Sequence, residues 1–471
     1  MNSVAVIGAG ITGLTAAFRL RQKGIPVTVY EAGGRVGGVI QTVRQDGYLA
    51  ECGPNSILET SPTISALVSE LGLDPRRIYS DVGAEKRYLV RHHCLVELPA
   101  SPRQMLTTGL FSVRAKLRLL VEPFIRRAPA WAEESLEKFV VRRLGREFLD
   151  YAINPFVAGV YAGAPSRLSV QHAFPKLHAL EQRYGSLLLG QFLGARERKA
   201  RGEVPKQSAK KFSFDAGLEV LTNTLQSQLG EAIRLRRPIR RLVRTGATWG
   251  LFAQVADKKS AKHSAVLLTV PAHQLAKLEM DHALRLPFTA LGALPYPPVT
   301  SLALGFRRED VAHPLDGFGM LIPEVEGFQL LGTIFSSSLF PKRAPSGEVL
   351  LTSYLGGARA PELALASESE QIEVALTDLR KLLGVRGRPT FVHRCAFPKA
   401  IPQYEVGYGH FKQTMHKLET DHPGLFLAGN FRDGISLGDS IVAGCKVAER
   451  LAAGLSSDRS HPIATAQAAL C

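Results

Sequence analysis

The residues with the most chemical content stand near the start of the chain, where Gly8-Ala9-Gly10-Ile11-Thr12-Gly13 follows the apolar run Val4-Ala5-Val6-Ile7. Glycines at these intervals suit a turn that holds a dinucleotide. Gly8 allows the tight bend, Gly10 lets the backbone approach a pyrophosphate, and Gly13 lets helix and strand pack closely. Ala9, Ile11 and Thr12 complete the loop, and the free N–H groups opening the next helix would face the phosphates. A second apolar stretch, Val27-Thr28-Val29-Tyr30, ends on Glu31, which is placed to accept hydrogen bonds from an adenosine ribose. The alternative is a glycine-rich turn with no ligand, and the full strand–turn–helix–strand context argues against it.

Those residues need a buried parallel strand before the turn and an amphipathic helix after it, and the pattern supplies both: four apolar residues, then helical periodicity over 14–23. At 471 residues the chain should form two or three domains. Hydrophobic content of 45% with 21% charged residues is that of a globular protein. No apolar run approaches the ~20 residues that cross a bilayer. The first strand begins so close to Met1 that no targeting peptide is expected before it. Cys52, Cys94, Cys395, Cys445 and Cys471 are scattered, odd in number and without ligand spacing. They read as reduced thiols in a cytosolic protein, with no disulfide framework and no metal site.

The net charge of +16 is spread along the chain, and no nucleic-acid motif accompanies it. A polycarboxylate substrate or an anionic membrane surface fits better than nucleic acid, and solvated surface accounts for many of the individual cations. Residues 106–131 mix leucine and phenylalanine with arginine at helical spacing. They read either as a basic amphipathic helix lying on a membrane or as a core-packed surface helix. Residues 196–211 look like a polar linker. The six arginines between Arg234 and Arg244 read as exposed faces of a strand pair within 233–255. Residues 265–270 form an apolar strand returning to the nucleotide-binding sheet. Strands are expected at 299–306, 317–322, 329–336 and 349–354, with a helix over 368–383. A last buried strand at 426–430 precedes a closing helix starting near Ser440.

Gly33-Gly34-Arg35-Val36-Gly37-Gly38 resembles the loop that follows the ribose-binding acid in amine-oxidase-like FAD flavoproteins. Glu51-Cys52-Gly53-Pro54-Asn55-Ser56, Gly159-Val160-Tyr161-Ala162-Gly163, Phe214-Asp215-Ala216-Gly217-Leu218 and Ala400-Ile401-Pro402-Gln403-Tyr404 follow in order. With Gly429-Asn430 and Gly434-Ile435-Ser436-Leu437-Gly438-Asp439-Ser440, they resemble the oxygen-dependent protoporphyrinogen oxidases and their coproporphyrinogen-oxidising bacterial relatives. Ala164 and Ala216 depart from the usual pattern at positions the chemistry does not need.

The resemblance implies an α/β fold with a Rossmann-type FAD-binding domain, a mixed α+β substrate domain and a helical membrane-association domain. The FAD-binding domain would span 1–80, 205–275 and 400–455; the helical domain 85–200; the substrate domain 276–395; and 456–471 would be a loose tail. It also implies non-covalent FAD held by Gly8 to Gly13, Glu31, Arg35, Gly53, Pro54, Asn55, Ser56, Ile239, Asn430, Ile435, Ser436 and Leu437. Arg87 would pair with a propionate, as a planar fork suits a carboxylate; the alternative is an exposed arginine on a strand. Phe318, Leu321, Ile334 and Phe335 would sandwich the tetrapyrrole, although as residues alone they read as strand core. Gly159 would lie beside flavin N5, and no side-chain acid or base is required. The implied reaction takes protoporphyrinogen IX to protoporphyrin IX with O2 as acceptor, releasing H2O2. Coproporphyrinogen III is the alternative substrate. More distant alternatives are another amine-oxidase-like flavin oxidase, or a flavin-binding assembly protein with no turnover. A nicotinamide-driven reductase is disfavoured, because only one Gly-x-Gly-x-x-Gly unit occurs. The implied location is the cytoplasm with a peripheral membrane contact, and a homodimer is left open.

Overall fold

Strand Val4–Ile7 has four apolar residues in a row because both of its faces are covered. Val4 and Val6 enter one hydrophobic core, while Ala5 and Ile7 enter another on the far side of the sheet. Strand Ala265–Leu268 divides in the same way, Ala265 and Leu267 to the first core and Val266 and Leu268 to the second. Such runs mark parallel strands buried on both sides. The structure, a computed structural model, describes residues 3–129, 131–200 and 209–457. Its parallel sheet has the order Ile233–Arg234, Val27–Tyr30, Val4–Ile7, Ala265–Leu268, Leu425–Leu427, drawn from three separate stretches of chain. Helix Ile11–Gln22 crosses the closing helix Leu437–Ser457 where a Cβ on Gly444 would lie 2.7 Å from the Thr12 carbonyl oxygen.

A mixed sheet of seven strands carries the other half of the molecule: Phe391–Phe397, Val299–Arg307, Glu348–Gly356, Gly332–Phe335, Gly317–Leu321, Lys86–Arg91 and Cys94–Glu97, in that order. Helix Glu368–Leu383 covers one face through Ala375, Leu376, Leu379 and Leu383. The expected strand over 329–336 begins only at Gly332. The Asp378 carboxylate accepts from the backbone N–H groups of Gln329 and Leu330 at 2.8 and 2.9 Å and holds them out of the ladder.

Three expectations are corrected. The range 85–200 is not helical throughout, because Lys86–Arg91 and Cys94–Glu97 join the seven-stranded sheet; the former pairs in parallel with Gly317–Leu321. Residues 106–131 do not form one helix. The capping hydroxyls of Ser101 and Ser112 start separate helices at Pro102–Thr107 and Val113–Val121, and Pro123 lies in the short 3-10 turn Glu122–Phe124. The cysteines are not all thiols, since Cys52 and Cys395 are joined in a disulfide; Cys94 and Cys445 are free. The arginines of 233–255 divide between Ile233–Arg234, at the edge of the parallel sheet, and the hairpin Arg241–Thr245 with Thr248–Phe252, extended by Ala261–His263. Of the proposed linker, 201–208 lies outside the described residues, as does 458–471 of the proposed tail. Among the described residues no helix is long and apolar enough to cross a membrane.

Candidate active site

The glycine turn is built by strain at one position and close approach at another. Gly8 has φ +107°, a region open to glycine. A Cβ on Gly13 would lie 2.2 Å from the Gly8 carbonyl oxygen and 2.7 Å from Thr269 Oγ1. Gly10 differs: no protein atom lies within 4 Å of where its Cβ would be. The helix it begins has no side-chain cap. An open space over uncapped N–H groups is a cradle for an anionic group, so the residues fit a dinucleotide pyrophosphate.

Glu31 sits at the edge of this cradle, its carboxylate accepting from Ala9 N–H at 2.8 Å and Gly33 N–H at 2.7 Å. The following loop is stitched to the turn by Gly37 N–H donating to the Ala9 carbonyl at 2.8 Å. Arg35 folds over its own loop and donates to the carbonyls of Val36, Gly38 and Ile40. Its observed work is to shape that loop. Arg236 and Arg237 donate backbone N–H groups to Gly33 and Glu31, which brings Ile239, half-buried, to the same border.

Gly53 passes so close to Val39 that a Cβ would lie 2.3 Å from its carbonyl oxygen. Beyond Pro54 and ahead of the half-buried Ser56, Asn55 donates to the Gly53 carbonyl and to the Tyr354 hydroxyl, tying this loop to the seven-stranded sheet. Behind it, Glu51 is buried and accepts from Leu218 N–H at 2.9 Å and Thr42 Oγ1 at 2.8 Å. Burial pushes its carboxyl up to about 7 against the pull of Thr42 and of Arg343, whose guanidinium stands 3.9 Å away.

The C-terminal motif closes the arrangement. The Tyr404 hydroxyl donates to the Asn430 carbonyl and accepts from Gly434 N–H at 3.0 Å. Past Ile435, Ser436 caps helix Leu437–Ser457: its hydroxyl accepts from Asp439 N–H at 3.1 Å while the Asp439 carboxylate accepts from Ser436 N–H at 3.4 Å. The helix therefore begins one turn before Ser440. Thr12 Oγ1 donates to the Ser440 carbonyl at 3.2 Å, so two helix N-termini stand together.

Strand register decides which of the residues expected to meet substrate share a face. Arg87, Gly319 and Ile334 lie directly across from one another, as do Leu89, Leu321 and Gly332. Phe318 and Ile334 pack against a small cluster with Leu339 and Phe340, and Leu321 lies against Gly159, the glycine expected beside flavin N5. A Cβ on Gly159, in helix Asn154–Tyr161, would lie 2.4 Å from Leu321 Cδ2. Phe335 is a correction. It is fully buried with Tyr88 and His313 in the core of the seven-stranded sheet, because neighbours in a strand face opposite ways and Ile334 takes the other face.

Several participants were missed by sequence reasoning. The Lys211 ammonium lies 5.7 Å over the Phe318 ring, and burial, then the charge of Arg87, holds its pKa down. Gln403 donates to the Tyr161 carbonyl at 2.8 Å and thus joins two of the motifs quoted above. Tyr404 and Gln403 carried a signal in their motif; Tyr354 and Lys211 carried none.

Comparison with known proteins shows the family. The model of the family described as flavin containing amine oxidoreductase matches residues 11–452. A protoporphyrinogen oxidase 2, chloroplastic/mitochondrial, of Arabidopsis thaliana is 37% identical, with 96% of this chain and 94% of the relative covered. A coproporphyrinogen III oxidase of Bacillus subtilis is 29% identical, covering 94% and 96%. A crystal structure from Exiguobacterium sp. 255-15, provisionally named a protoporphyrinogen oxidase, superposes with a TM-score of 0.80 at 24% identity, covering 97% and 99%. The chain has the mixed α/β fold of these flavoproteins, and it belongs to the flavin-containing amine oxidoreductases, among the protoporphyrinogen and coproporphyrinogen oxidases of that family.

Proposed function

We propose that the chain oxidises a porphyrinogen, protoporphyrinogen IX before coproporphyrinogen III, to the porphyrin with FAD and O2, releasing one H2O2 for each pair of hydrogens removed. The observation that carries this reading is one apolar face holding Phe318, Leu321 and Ile334, bounded by Gly159 and ending at Arg87. FAD, when bound, supplies the two-electron redox chemistry. The chain holds it with the cradle at Gly8 to Gly13, the carboxylate of Glu31 and the loop at Gly53 to Ser56. Helix Leu437–Ser457 offers a positive end suited to the negative charge that develops on a reduced flavin. Arg87 anchors a carboxylate, the apolar face lies against the macrocycle, and the missing side chain at Gly159 lets Leu321 of that face close up against helix Asn154–Tyr161. No proton-transfer residue is asked of the chain.

The same reading includes a contact with an anionic membrane. Leu106, Val113, Leu120, Phe124 and Trp131 are largely exposed, the last two at 86%, and Arg114, Arg126 and Arg127 are exposed among them. The patch has a rigid base. Arg143, fully buried, binds the buried carboxylates of Glu122 at 3.1 Å and Glu181 at 2.6 Å, which fixes the turn carrying Phe124. Exposed apolar side chains interspersed with cations suit the interfacial region of an anionic bilayer.

The test is the initial rate of porphyrin fluorescence with each porphyrinogen, in air and without nicotinamide, while H2O2 is measured. Porphyrin formation matched by peroxide is expected. An absolute need for a nicotinamide or quinone rejects the reading.

A further inference from the structure

His393 and Cys395 stand two apart on strand Phe391–Phe397, so their side chains share a face. The strand lies at the edge of the seven-stranded sheet and pairs there with Val299–Arg307. Strand Tyr48–Glu51 runs past it in step: Tyr48 stacks on Phe391 with ring centres 4.6 Å apart, and four residues further along each chain Cys52 meets Cys395. The two Cα atoms are 5.5 Å apart and the sulfurs are bonded. His393 Nε2 lies 3.7 Å from Cys52 Sγ. Cys52 is buried, whereas Cys395 is half-buried and so the more exposed of the two. The bond joins the chain just before Gly53-Pro54-Asn55 to the edge of the substrate sheet.

We propose that Cys52 and Cys395 form a reversible dithiol–disulfide centre, oxidised by hydroperoxide, with His393 as the acceptor of the Cys52 proton. In the reduced state an imidazole beside a thiol favours the thiolate, the reactive form. The Cys52 thiolate attacks one peroxide oxygen; the S–O bond forms, the O–O bond breaks, and the departing hydroxide takes the proton from His393 to leave as water. The Cys395 sulfur then attacks the sulfenic sulfur; the S–S bond forms, the S–O bond breaks, and the second hydroxide leaves as water with the Cys395 proton. Two thiols lose two electrons and one peroxide becomes two waters. In the return direction an external dithiol attacks the more exposed Cys395 sulfur, and Cys52 departs as a thiolate facing His393. The second thiol of the reductant then releases Cys395. Under the function proposed above, turnover itself supplies the oxidant, so product formation would be coupled to a covalent tie between flavin loop and substrate sheet. The inference rests on that reading only for the source of the peroxide.

The test uses the FAD-loaded full-length protein, reduced with dithiothreitol, desalted and treated with H2O2 in the absence of porphyrinogen, followed by alkylation and peptide mass spectrometry. Cys52 and Cys395 should be alkylated before peroxide and protected after it, with exposed Cys94 as internal reference. In Cys395→Ser, Cys52 should accumulate as a dimedone-reactive sulfenic acid. In His393→Gln, disulfide formation should slow roughly ten-fold at an unchanged thermal midpoint. The same three donor atoms lie within 4.8 Å of one another and could instead hold a soft cation. Stoichiometric Zn2+ uptake by the reduced protein, with no disulfide formed by peroxide, would overturn the inference. So would two thiols that stay alkylatable after peroxide, or an unchanged rate in His393→Gln. Because the oxidant is added, a negative result here leaves porphyrin formation in air standing, and a failure of porphyrin formation leaves this result intact.

Discussion

Gly10→Val separates what the glycine turn does for a ligand from what it does for the fold. The Gly10 backbone has φ −71° and ψ 172°, extended values open to any residue, and no protein atom lies within 4 Å of its Cβ direction. The fold should therefore lose no more than about 1 kcal/mol, the ordinary range for changing a helix N-cap. The added side chain enters the space over the uncapped helix turn, where the pyrophosphate must lie. The variant should be purified folded but colourless. Its thermal midpoint should match that of wild-type protein stripped of FAD, because a ligand at a thousand times its dissociation constant contributes about 4 kcal/mol, which the variant cannot gain. Gly13→Ala is the control of opposite kind. Its Cβ would lie 2.2 Å from the Gly8 carbonyl oxygen, a backbone atom that cannot swing aside, so folding and FAD should be lost together. Full FAD occupancy in a folded Gly10→Val protein would refute this placement.

Arg87→Ala should weaken porphyrinogen binding about ten- to a hundred-fold, since a charge-assisted hydrogen bond contributes ~1.5–3 kcal/mol, with FAD content unaltered; unchanged kinetics with both porphyrinogens would return Arg87 to the surface. Glu51 makes stability depend on pH in a stated direction. Its carboxyl is raised from 4.5 to about 7, so the native state holds a proton that the unfolded chain releases. That contribution, about 3 kcal/mol, is fully present below about pH 4.5 and lost as pH rises through about 7. The difference in thermal midpoint between wild type and Glu51→Gln should change over that window, and a constant difference would contradict it. The protein should cosediment with anionic vesicles at low salt and release at high salt, as about 1 kcal/mol per basic residue is screened. Phe124→Ser with Trp131→Ser should abolish the sedimentation, and retention by that double variant would show that the patch is not the contact.

Local chemistry made much of this legible in advance. The four-residue apolar runs at Val4–Ile7 and Ala265–Leu268 reveal parallel strands because burial on both faces leaves no alternation to read. The glycine spacing locates the cradle, since close approach and positive φ demand that residue type wherever the turn occurs. Errors at element ends have identifiable causes, one local and one distant. The Ser436–Asp439 capping box starts the closing helix before Ser440, and Asp378, distant in sequence, shortens the strand at Gly332.

What remained hidden depends on register between distant strands. Whether Ile334 or Phe335 meets the substrate cannot be decided from the pair alone, because a shift of one residue exchanges the two faces. The pairing of Gly319 with Ile334 on one side and Arg87 on the other puts Ile334 and Arg87 on one face and sends Phe335 to the core on the other. The same limit explains the cysteines. Cys52 and Cys395 are 343 residues apart, and nothing in either neighbourhood names the other. The only local trace is the spacing of His393 and Cys395, which on a strand puts imidazole and sulfur on one face. Tyr48 to Cys52 is buried throughout, and only the fold brings it against that sheet edge.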